Sequence, residues 1–172
     1  MKISPRYVAR LLAASADDAV DALAQLSSFW STRARLTETG ELTGLSPSEM
    51  AAHLALWYCG EVGNGGHTQY FMNPVGSFAH ETIPGLEKLG LEQAASILRD
   101  AIQVFPDRQV PRDRKVRLAR IDGLGSDHLD LLRRLDLALW AISGRIDVTI
   151  LRYLEAHKDE VLAAEQSQSN MG

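Results

Sequence analysis

Apolar residues recur along this chain at three- and four-residue steps, and nowhere do they alternate with polar ones for more than a few positions. Such spacing lays an apolar stripe along a helix, so the pattern predicts an all-α protein in which a sheet is not expected. Ser4 and Pro5 supply an N-cap and a proline at the first helical position, and Tyr7, Val8, Leu11 and Leu12 continue as a stripe. Ser15, with Asp17 and Asp18 behind it, opens a second helix, because carboxylates in a first turn face the positive end of the helix dipole. Its stripe is Val20, Leu23, Leu26 or Ser27, and Trp30. Thr37 to Gly44 has turn chemistry and no helical period, which makes it a loop.

Ser46-Pro47-Ser48-Glu49 is a capping box that starts a helix running from about Pro47 to Val62, with Met50, Leu54, Trp57 and Glu61 near one stripe. Gly63-Asn64-Gly65-Gly66 should end it, since these residues favour positive φ and carry too much backbone entropy for a helix interior. Thr68 to Met72 then supplies about one turn before Pro74. Helices follow over Ala79 to Leu89, where Pro84 should kink or restart the chain, and over Glu92 to Phe105. Leu129, Leu132, Leu135 and Leu139 mark a later helix, and Asp147 is placed to cap a last one with the stripe Ile150, Leu151, Leu154, Val161 and Leu162. The expected architecture is a single compact multi-helix domain over residues 1–165, with residues 166–172 as a polar, unstructured tail.

A chain of 172 residues buries roughly 70% of its unfolded surface, enough for a core without metal or disulfide staples. Cys59, the single cysteine, lies among Leu54, Leu56, Trp57 and Tyr58 and reads as a buried thiol in a reducing compartment. Near the start only Leu11 to Ala14 form an unbroken apolar run, too short for a secretory signal, and no run approaches the roughly 18 apolar residues of a membrane span. The expected location is the cytoplasm. The net charge of −4 is unevenly spread: residues 15–61 carry −5 and residues 106–120 carry +4. Overall acidity argues against a general nucleic-acid binder.

Chemical motifs are few. Gly63 to Gly66 lacks the preceding strand and the Gly-Lys-Ser/Thr ending of a phosphate loop. His80-Glu81 begins like a zinc-protease helix, but Pro84 stands where the second histidine belongs. His53, Cys59 and His67 lack paired metal-ligand spacing. No catalytic, cofactor or metal residue is assigned on these grounds, and a catalytic triad would have to be assembled by the fold. Arg108, Arg112, Arg114, Lys115, Arg117 and Arg120 read as a solvated face neutralised by acidic neighbours, in preference to a phosphate contact. Asp17, Asp18 and Asp21 form an acidic ridge, and with Glu38, Glu41 and Glu49 they make a candidate acidic interaction surface.

Glu61-Val62, Asn64-Gly65-Gly66, Gln69-Tyr70-Phe71 and Asn73 resemble the hallmark of the bacterial DNA-mimic-protein family, whose pattern runs E-V-x-N-G-G-F-x-Q-F-F-x-N. His67 stands where the pattern has an aromatic, and the likeness continues through Leu86 to Gly90 and Ala101 to Pro106. The resemblance implies a mainly helical protein, no enzymatic activity and no cofactor. It also implies a surface whose carboxylates imitate duplex DNA and occupy the DNA-binding face of a basic partner protein. The alternative is an immunity-type or ligand-binding module without mimicry, and a homodimer is compatible with either. Glu61, Asn64, Gly65, Gly66, Gln69, Tyr70 and Asn73 form a candidate pocket or, on simpler grounds, a scaffold in which Asn64 and the glycines make a left-handed turn. Gln69 and Asn73 would then bond exposed backbone groups, with Tyr70 and Phe71 packed beneath.

Overall fold

The computed structural model describes residues 4–37 and 40–169, with side chains through residue 164. The described chain is all-α. Its helices are α1 (Pro5–Leu12), α2 (Ala19–Arg33), α3 (Pro47–Met72), α4 (Ala79–Lys88), α5 (Glu92–Ala101), α6 (Arg114–Asp122), α7 (Ser126–Ala156) and α8 (Lys158–Ser169). The two-residue strand β1 (Arg35–Leu36), just before the expected 37–44 loop, pairs antiparallel with β2 (Leu42–Thr43) inside it, with Arg35 opposite Thr43. The chain divides into two compact units, residues 1–53 with 145–172 and residues 54–144. Among the described residues no helix is long and apolar enough to cross a membrane.

In the first unit α1 packs against α2 and α8. The Ser4 hydroxyl accepts from the Tyr7 amide, as the sequence predicts, and Val8, Leu11 and Leu12 turn inward. α2 starts later than expected. Ser15 donates to the Asp18 carboxylate at 2.6 Å and accepts from the Asp18 amide at 3.3 Å, closing a separate turn before the helix begins at Ala19. The buried face of α2 is therefore Ala19, Ala22, Leu23, Leu26, Phe29 and Trp30, and Val20 is exposed. Gly44, at φ +90°, lies so close to the Arg33 carbonyl that a Cβ would overlap it, which reserves this hairpin position for glycine.

The capping box at the start of α3 is formed as predicted: the Ser46 amide donates to Glu49 Oε2 at 2.8 Å, and the Glu49 amide donates to the Ser46 hydroxyl at 3.3 Å. A second carboxylate joins it from far along the chain. Glu160 accepts from the Ser48 amide at 2.8 Å and from its hydroxyl at 2.9 Å, tying α8 to the first turn of α3. Asp147 caps no helix. α7 runs unbroken from Ser126 to Ala156, because a lone Gly144 costs only about 1 kcal/mol while apolar positions such as Leu139, Ile146 and Ile150 are buried on either side of it. α8 continues to Ser169, so the backbone of residues 166–169 is helical where a tail was expected; residues 170–172 lie outside the described residues.

In the second unit α4 packs on α5. α4 passes through Pro84 without a break and ends at Gly90, φ +77°. α5 buries the expected Ala94, Ile97, Leu98 and Ala101, then tightens into a 3-10 turn over Ile102–Val104 before Phe105 and Pro106. The buried stripe of α3 in this unit runs through Leu54, Ala55, Tyr58 and Val62, while Trp57 is half-buried. Cys59, expected to be buried, is a half-buried thiol.

Candidate functional site

The 61–73 segment is a helix with one break in it. α3 runs on through Gly63 and Asn64, and departs from helical geometry only at Gly65 (φ −161°, ψ 24°) and Gly66 (φ 75°, ψ −179°). The expected end at Val62 and the left-handed role for Asn64 are thereby corrected: Gly66 alone takes a positive φ, and Asn64 is an exposed helical residue. Gly66, at a positive φ, is reserved for glycine, and a Cβ at either position would meet a side chain. A Cβ on Gly65 would overlap the Gln69 side chain, and one on Gly66 would overlap the Asp136 carboxylate.

A helical segment as short as residues 67–72 is not stable alone, and three sets of contacts hold it. Glu61, from the turn before the break, accepts through one oxygen from Gln69 Nε2 at 2.8 Å and from Asn73 Nδ2 at 2.7 Å. Gln69 and Asn73 thus bond a carboxylate across the break and not the backbone groups expected of them. His67 comes next and is fully buried. Its backbone amide donates to Asp136 Oδ1 at 2.7 Å, and its Nδ1 lies 2.5 Å from the same oxygen. A carboxylate can only accept, so Nδ1 carries the proton and, in the neutral ring, Nε2 accepts from the Tyr58 hydroxyl at 2.8 Å. Tyr58 is fully buried, and burial raises its pKa well above that of an ordinary phenol.

The third set comes from α6. Arg117, fully buried, donates from Nε to the Phe71 carbonyl at 2.6 Å, and from its terminal nitrogens to the carbonyls of Asn73 (3.0 Å), Pro111 (2.6 Å) and Arg112 (3.1 Å). Arg114 Nε donates to the Met72 carbonyl at 3.0 Å. These arginines satisfy carbonyls at the end of α3 that have no helical partner and carry the negative end of its dipole. Burial, with Arg114 alongside, lowers the pKa of the Arg117 guanidinium from its ordinary value. The expectation of a solvated basic face neutralised by acidic neighbours is corrected at Arg117, which is buried. Arg117 is structural, Arg112 pairs with Glu81, and Arg108, Lys115 and Arg120 remain exposed.

Tyr70 and Phe71 pack beneath, as expected: Tyr70 meets Tyr58 edge-on at 5.0 Å, and Phe71 meets Phe105 edge-on at 4.9 Å. Gly76 fits against the Tyr70 carbonyl and the Phe71 Cα, where a Cβ would collide. Sequence reasoning missed Tyr58, Asp136 and Arg117 as members of this assembly. Asp136 lies 69 residues from His67, and no local signal joins them. Among the described residues no group of three or more His, Cys, Asp or Glu side chains is placed to hold a metal.

The acidic candidates lie in the first unit and fare unequally. Asp17, Asp18, Asp21 and Glu41 are exposed. Asp18 and Asp21 share a groove of about 460 Å³ with Arg10, Ser15 and Gln25 between α1 and α2. Glu38 lies outside the described residues. Glu49 belongs to no surface: it is fully buried, accepts from Trp30 Nε1 at 3.0 Å and takes both terminal nitrogens of Arg33 at 2.9 Å. Its place in the capping box, in sight of the Arg33 guanidinium, draws it inward.

A helical scaffold built round an E-V-x-N-G-G joint defines a class, and comparison with known families agrees with it. The model of the DMP19-like protein matches residues 43–157, about two-thirds of the chain, and the chain belongs to this DNA-mimic family. Comparison with curated proteins and with solved structures gives no match. The family match begins after Asp17, Asp18, Asp21 and Glu41, so it covers the joint but not the exposed acidic residues.

Proposed function

We propose that this protein is a non-enzymatic interaction protein that occupies the DNA-binding surface of a basic partner with carboxylates of its first unit. The observation that carries the proposal is a division of labour. Tyr58 and His67 are sealed from solvent and hold the α3 joint, whereas Asp17, Asp18 and Asp21 project into solvent around the start of α2. A buried hydroxyl and imidazole offer no approach to a substrate. Exposed carboxylates one turn apart present a basic surface with closely spaced negative charge, as the phosphates of DNA do. Membership of the DMP19-like family supports the same reading.

The groove between α1 and α2 favours one second reading, a binding module for a small polar ligand held by Arg10, Asp18 and Asp21. A capture experiment separates the two. The immobilised full chain is exposed to a lysate of its source cells at low salt, and the retained protein is challenged with salt and with duplex DNA. Under mimicry the retained protein is a DNA-binding protein released both by rising ionic strength and by DNA. Retention that ignores DNA contradicts mimicry.

A further inference from the structure

We propose that Arg10 is a built-in counter-charge of the acidic face, which Tyr7 holds back from Asp18 and Asp21 so that the groove between α1 and α2 stays open to an arginine or lysine side chain of the partner. On the reading of that face as the surface offered to a basic protein, the groove is where one cationic side chain of that protein enters. Arg10, Asp18 and Asp21 are exposed and line this one groove of about 460 Å³. Opposite charges that share a groove ordinarily pair. Among the described residues, however, no ion pair joins Arg10 to either carboxylate. Its guanidinium lies instead over the Tyr7 ring, 4.8 Å from the centroid. Tyr7 is in turn tied to α2: its hydroxyl donates to Gln25 Oε1, and Gln25 Nε2 donates to the Asp21 carbonyl at 3.3 Å. The ring that holds Arg10 is thus anchored to the helix that carries the carboxylates.

The lining selects the occupant. Leu11, Ala14 and Ala22 give the groove an apolar wall along which the methylenes of an arginine or lysine can lie while the charged head reaches the carboxylates. An anionic ligand would meet Asp18 and Asp21 as like charges, and an apolar one would cover them unpaired. Asp18 has the Ser15 hydroxyl as its side-chain partner, and the Asp21 carboxylate has none among the described residues, so both retain capacity to accept. Arg10 is itself a side chain of the class the groove takes, and once off the ring it would compete with the partner's. An exposed cation–π contact and an exposed ion pair are of comparable strength. One aromatic ring is therefore enough to decide where Arg10 lies, and with it how much negative charge a partner meets.

Titration of the full chain with a short arginine peptide capped at both ends, at low salt and followed by the backbone amide shifts in heteronuclear NMR, tests the groove. The peptide is expected to shift the amides of Ser15, Asp18, Asp21 and Ala22. Arg10→Gln tightens its binding about threefold, and Tyr7→Leu weakens it about threefold because Arg10 turns to the carboxylates. Tyr7→Phe keeps the ring and recovers most of that loss. In the Arg10→Gln background Tyr7→Leu has no charge to release, so the double variant binds as Arg10→Gln does. A loss of equal size in both backgrounds makes Tyr7 merely structural and overturns the proposal. A peptide that shifts no amide of the groove, or an Arg10→Gln without effect, overturns it equally. These outcomes are separate from that of the capture experiment. If the peptide binds as described but the captured partner ignores DNA, the groove stands and mimicry falls; DNA-sensitive capture with no response of the peptide to Tyr7 or Arg10 does the reverse.

Discussion

The side-chain amide of Asn73, the residue after α3, donates to the carboxylate of Glu61 at 2.7 Å across the break in that helix. Gln69 reaches the same oxygen. One carboxylate therefore clamps the helix on both sides of Gly65–Gly66 and fixes the angle of the break. Charge-assisted bonds of this kind are stronger than neutral ones, so Glu61→Ala should lower stability by about 2–3 kcal/mol. Glu61→Gln should recover part of the loss, since its amide oxygen still accepts. Urea denaturation followed by circular dichroism reads both; an unchanged midpoint for Glu61→Ala would remove the clamp from the account.

The glycines of the joint should respond with opposite signs. Gly63 is helical, and a Cβ there meets nothing within 4 Å. Gly63→Ala should stabilise by about 0.5–1 kcal/mol by reducing the freedom of the unfolded chain. Gly66 combines φ 75° with the Asp136 carboxylate in the space a Cβ would fill, so Gly66→Ala should destabilise by about 2 kcal/mol or more. Thermal melts of the two variants compare them directly.

Arg117 and Arg120 lie on the same short helix with different tasks. Arg117→Met removes a donor from the carbonyls of Phe71, Asn73, Pro111 and Arg112, of which Asn73 keeps the Gly76 amide, and should cost about 3 kcal/mol. Arg120→Met alters an exposed residue and should stay within about 0.5 kcal/mol of the wild type. Equal effects would show that charge, and not carbonyl capping, governs α6.

His53 gives the first unit a pH dependence. It is buried edge-on to Trp30, with Ser27 Oγ 3.5 Å from Nδ1, and burial lowers its pKa from 6.5 to about 4. Between those values the unfolded chain binds a proton that the folded chain does not. Stability therefore falls as pH drops from about 6.5 to about 4, by up to about 3 kcal/mol. Wild type minus His53→Gln, measured by denaturation at a series of pH values, isolates this contribution, because the other groups cancel. A difference that does not change over that window contradicts it.

Much of this fold can be read from local signals. The N-cap at Ser4, the capping box at Ser46–Glu49, the stop at Gly90 and the α5 stripe are each set by residues within a turn of one another, and each appears as expected. The errors fall where distant residues decide. Gly63 and Asn64 stay helical because the break is placed by Asp136 and Gln69 against the two following glycines. Glu49 looks like a surface carboxylate until Arg33, 16 residues before it, is brought alongside. Arg117 resembles its basic neighbours in sequence and differs only in having the end of α3 beside it. The 61–73 motif was therefore legible as a joint between helices, whereas the Tyr58–His67–Asp136 chain inside it was not.

The central claim is that function lies in exposed carboxylates and that the 61–73 joint is scaffold. The most direct measurement is displacement of duplex DNA from the captured partner, titrated with wild type, with the variant Asp17→Asn/Asp18→Asn/Asp21→Asn/Glu41→Gln, and with Glu61→Gln. The account predicts that the neutralised variant needs about tenfold more protein or fails to displace DNA, while Glu61→Gln displaces it as the wild type does at a temperature where it is folded. Displacement that survives neutralisation but is lost in folded Glu61→Gln would contradict the account and make the joint itself the site.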